Sequence, residues 1–227
     1  MDAEGFWVEP GPGYLPKYHA SVWSLLSLAQ LGASSKLDRR IATACGYLLE
    51  HALARGGQFT ASGAPSGTAD CLQGTCAALL DLEYDDPRLD SVRVDGAQRD
   101  RRRAGVVRRV PCPHALLCGQ SVGPPFACGS NDKLPCAWGV VKVMLAFSKL
   151  PAAQHTPLIN CAIQQGIDFR SSDLADADYP AGYSDILQRQ LVEVRFLVFY
   201  VTDLLQNVEA LLRLGCMTTR ARHARWR

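Results

Sequence analysis

The side chains able to do chemistry in this 227-residue chain are few and widely spaced. Nine cysteines (Cys45, Cys71, Cys76, Cys112, Cys118, Cys128, Cys136, Cys161 and Cys216) supply thiols for metal binding or nucleophilic attack. No two of them stand in Cys-x-x-Cys spacing, so a metal centre would have to gather its ligands from distant segments. The histidines, His19, His51, His114, His155 and His223, are scattered. Lys133 in Asn131-Asp-Lys-Leu-Pro is a lone loop lysine, and Gly56–Gly67 lacks the Lys-Ser/Thr of a phosphate-binding loop and reads as a flexible connection. Asp173, Asp176 and Asp178 form an acidic stretch that reads as a solvated loop. His19, the Asp70-Cys71 pair and Cys136 differ from the rest: each stands where an apolar, helix-forming segment opens.

Those segments are alike. His19–Gly32, Asp70–Leu82, Cys136–Leu150 and Tyr200–Gly215 each predict about four turns of helix, apolar on most faces, and helices of that kind are buried. Gly32 and Gly215 stand where left-handed C-terminal stops are expected. Amphipathic helices follow. Ser35-Lys-Leu-Asp38 has the form of a capping box opening a run through Ile41, Ala44, Cys45, Leu48 and Leu49. Thr156-Pro157 is an N-cap and first-turn proline opening Leu158, Ile159, Ala162, Ile163 and Ile167. Asp85-Asp-Pro-Arg-Leu89 begins in the same way without an amphipathic continuation. The repeat is a buried helix, a turn, an amphipathic helix and a long loop, which predicts an all-α fold of helical hairpins in a single domain over residues 1–227. Cys45 and Cys161, on apolar helix faces, are expected to be small core residues.

Charge marks where the pattern breaks. The formal net charge is +2, but seven of the arginines lie between Arg93 and Arg109 and four in the last eight residues. Outside 92–110 and 216–227 the chain carries 13 basic against 20 acidic residues. The domain is therefore expected to carry an irregular Arg-rich insert at 92–120 and an irregular basic tail at 216–227. No aromatic residue is interleaved in the insert, which argues against a nucleic-acid partner. No run approaches the 18 apolar residues of a spanning helix, so no transmembrane segment is expected. An odd cysteine count and an acidic start without an apolar leader predict reduced thiols and a cytoplasmic location.

The stretches Pro16-Lys-Tyr-His-Ala-Ser-Val-Trp-Ser-Leu-Leu-Ser-Leu-Ala-Gln-Leu-Gly32, Phe126-Ala-Cys-Gly-Ser-Asn-Asp-Lys-Leu-Pro-Cys-Ala-Trp-Gly139 and Phe199-Tyr-Val-Thr-Asp-Leu-Leu-Gln206 resemble bacterial proteins of the squalene cyclase and protein prenyltransferase repeat superfamily. The resemblance implies an α/α toroid: parallel inner helices around an apolar cavity, with outer helices wrapping them. Here it implies an incomplete ring of about four inner helices, with an open edge prone to self-association. In that frame Trp23, Trp138 and Tyr200 line the cavity, and an isoprenoid or other apolar chain is the implied ligand. The cyclase acid motif has no full match, because Asp176-Ala-Asp178-Tyr179 lacks the final Asp. The prenyltransferase pattern implies zinc, held among Asp70, Cys71, Cys136 and His19, with Cys128 as an alternate. Enzymatic activity of either kind is thus an implication of the resemblance without a complete motif, and a non-catalytic or vestigial repeat module is the alternative. A lanthionine synthetase likeness at Pro135-Cys136-Ala-Trp138-Gly139 ranks lower, for want of a Cys-His-Gly partner.

Overall fold

The computed structural model describes residues 1–55, 57–64, 67, 69–89, 137–155, 157–171 and 202–215. The Arg-rich insert and the basic tail lie outside them, as do Cys128, Cys136, the Asp173–Asp178 stretch and Tyr200. The described residues are mostly helical and contain no strand, only an isolated bridge between Leu53 and Phe59. In chain order they form α1 (Ser21–Gln30), α2 (Arg39–His51), a 3-10 turn (Asp70–Gln73), α3 (Gly74–Asp81), α4 (Ala137–Ser148), a second 3-10 turn (Ala152–Gln154), α5 (Pro157–Ser171) and α6 (Leu204–Arg213).

Helix ends follow from local chemistry. Gly32, at φ +77°, closes α1: its N–H reaches Ala29 O and that of Ala33 reaches Leu28 O, the paired bonds of a glycine-ended helix. α3 closes with the same pair of bonds, but Glu83 holds the left-handed position at φ +55°. Its carboxylate accepts from Ser34 Oγ and Lys36 Nζ, which offsets the strain a non-glycine residue bears there. α2 begins at Arg39, capped by Asp38 on the Arg40 N–H at 2.9 Å, and not at Ser35 as the capping-box spacing predicts. Ser35 is drawn elsewhere, its N–H donating to Leu82 O. The expected inner face of α2, Ile41, Ala44, Cys45, Leu48 and Leu49, is buried. α6 starts at Leu204 behind the cap Asp203, later than the sequence pattern places it.

α1 packs on α3, α3 on α4, and α4 on α6; α2 packs on α1, and α5 on α4. Contacts fix the directions of these helices. Gly74 at the start of α3 lies against the Lys142 stem, and Asp81 at its end pairs with Lys149 at 2.9 Å. Both steps are seven residues, so α3 and α4 run the same way. Lys142 likewise meets Gln206, and Lys149 meets Glu209, so α6 shares that direction. The ends of α1 and α3 meet through Ser35 and Leu82, so α1 shares it too. α2 runs back along α1: Gly13 bridges Ser21 at the start of α1 and Leu48 near the end of α2. α5 returns along α4, placing Gly166 against Met144.

One continuous core runs through this row, from Trp23 and Leu25 through Leu79 to Val140, Met144 and Ile159. Each such side chain, fully buried, contributes about 1.5–3 kcal/mol. The loop before α3 is tied down. Phe59 is buried, and the Gln73 amide clasps its backbone, accepting from Phe59 N–H and donating to Phe59 O, each at 3.0 Å. That clasp anchors the connection at Phe59. Among the described residues, no helix is long and apolar enough to cross a membrane.

Candidate functional site

Because α3, α4 and α6 run together, their first turns gather polar groups at one end of the row. The 3-10 turn leading into α3 carries Cys71, which is half-buried. Lys142 comes from the second turn of α4 and is only 4% exposed. Its methylenes lie on Gly74, where a side chain's first carbon would sit 3.0 Å from Lys142 Cβ; glycine is what lets the stem pass. Its Nζ donates to Gln206 Oε1 at 2.7 Å. Asp203, buried at the N-cap of α6, accepts the Gln206 N–H at 2.9 Å and so holds that turn in place.

The electrostatics follow from burial. Removal from water disfavours the ammonium and pushes the Lys142 amine down to about 8; Cys71 and Asp203 beside it act in the opposite sense. At neutral pH the group is therefore a desolvated cation close to giving up its proton. Thr202 Oγ1, just before α6, and Asn207 Oδ1, within it, are buried and have no hydrogen-bond partner among the described residues. A buried polar atom left unpaired costs about 1–3 kcal/mol. The Lys142 ammonium is the group in this arrangement that can meet an anion, since the Asp203 carboxylate already caps the helix end beside it. Cys45 is the contrasting thiol: burial pushes it up to about 12, and it is core packing.

Of the residues the resemblance assigns to zinc, Asp70 opens the 3-10 turn and Cys71 reaches the cluster. His19 is exposed in the turn before α1, its N–H on Pro16 O. Cys136 and Cys128 lie outside the described residues, among which no three His, Cys, Asp or Glu side chains converge as a metal site. Trp23, assigned to a cavity, is buried in the core beside Tyr14 and Tyr18, with ring centroids 5.2 Å away in each case, and its Nε1 donates to Tyr14 O. Trp138 falls within α4. Gly119-Gln-Ser121-Val-Gly123, which has the spacing of a serine nucleophile elbow, lies outside the described residues.

Lys142, Gln206 and Asn207 are missed by helix pattern alone, since it treats both segments as apolar. A signal was present: Lys142 is the single charge in Ala137–Ser148. A lone charge in a helix apolar all round must be buried with its partners. Comparison with protein-family models, with curated proteins and with solved structures returned no match for this chain.

Proposed function

We propose that this chain is a helical-hairpin repeat protein of the squalene cyclase and prenyltransferase type, and that it binds an apolar, isoprenoid-like chain bearing an anionic head. The shared direction of α1, α3, α4 and α6 supports this reading, because it gathers Cys71, Lys142 and the start of α6 at one end of the apolar row. The head group would meet the Lys142 ammonium, and the tail would run along the helices. The test is titration of the full chain with farnesyl diphosphate, farnesol and inorganic pyrophosphate, followed by calorimetry. The diphosphate should bind best, and Lys142→Met should weaken it at least tenfold while leaving farnesol unchanged. Equal binding of diphosphate by wild type and variant, or none by either, overturns the proposal.

Zinc is the part of this reading under most physical strain. A divalent cation on Cys71 would sit beside Lys142, so it would be held only as that amine sheds its proton. Metal analysis of the purified protein decides it: one zinc per chain, lost in Cys71→Ala, supports a prenyltransferase-like site. No zinc leaves a non-catalytic binding module, which the Lys142 charge favours. The same family reading leaves an open repeat edge at α6. Leu205 and Leu212, each 53% exposed, stand on its outer side. Light scattering after gel filtration should then find concentration-dependent dimers, and a monomer at all concentrations removes the self-association claim.

A further inference from the structure

We draw no further inference here: the strongest candidate, the polar cluster of Lys142, Asp203 and Gln206 where α4 meets the first turns of α6, belongs to the site already described, and the exposed Leu205–Leu212 side of α6 has nothing in the structure to show what covers it.

Discussion

Two lysines seven residues apart on one segment, Lys142 and Lys149, face the same two neighbouring helices and are treated in opposite ways. Lys149 lies just past the end of α4, where its nearly buried side chain meets two carboxylates, Asp81 at 2.9 Å and Glu209 at 2.8 Å. Burial alone would raise the Glu209 carboxyl, but Lys149 and Arg213 outweigh it and hold the group below its ordinary value. Lys142, near the start of the row, is held by the amide of Gln206, with Cys71 and Asp203 beside it. One end of the row is a clamp with its charges neutralised. The other keeps a desolvated charge at a cost to stability, and a site that costs stability is where function is to be sought.

The comparison breaks most visibly at Lys149. Lys149→Ala leaves Asp81 and Glu209 without their shared cation, and since both are partly exposed the loss should be about 2 kcal/mol in urea unfolding. A loss below about 0.5 kcal/mol would show that the clamp is ornamental. Lys142→Met should go the other way. It removes a buried ammonium and keeps the volume, for a gain of about 1–2 kcal/mol at pH 7 after the Gln206 bond is lost. Destabilisation of similar size would mean that Lys142 is a second clamp.

The pH dependence sharpens the contrast. The folded Lys142 amine titrates near 8 and the unfolded one at its ordinary 10.5, so between these values the unfolded chain binds more protons. Stability should therefore rise with pH from 8 to 10.5 on account of Lys142, and the wild type should overtake part of the lead of Lys142→Met. Cys45 pulls against this. Its thiol, at about 12 when folded, keeps its proton where the unfolded one ionises, so its contribution falls above pH 9. The difference between the two proteins at each pH cancels the cysteine term, and a constant difference would refute the assignment. Last and smallest, Gly74→Ala should cost about 1 kcal/mol, as the Lys142 stem yields to a new methyl, partly offset by alanine's helix preference. In the Lys142→Met background the cost should shrink, because a thioether stem bends more readily.

Much of the helical framework is legible in the sequence. The apolar period marks the inner face of α2 from Ile41 to Leu49, and Gly32 and Gly215 both adopt the left-handed conformation expected of helix stops. Starts are less legible than stops, because a cap competes with other demands on the same residues. Ser35 looks like a cap until its backbone is found bonded to Leu82, just past the end of α3 and 47 residues away. The site was legible in one member, Cys71. Its partners were hidden because Lys142 and Gln206 meet through the register between parallel helices, which no local spacing encodes. Two members of the zinc set, Cys136 and Cys128, fall outside the described residues.

The junction of Ser34, Ser35 and Lys36 with Leu82 and Glu83 closes the first three helices into a unit before α4 is made. Every bond in that junction lies within the first 89 residues, so a chain emerging from the ribosome can complete it early. The flank of α3 that later receives α4 would then stand bare during synthesis, with the Asp81 carboxylate waiting at its rim for Lys149. Chain order thus implies a vulnerable interval in which an apolar flank must be shielded or the next helix must arrive quickly.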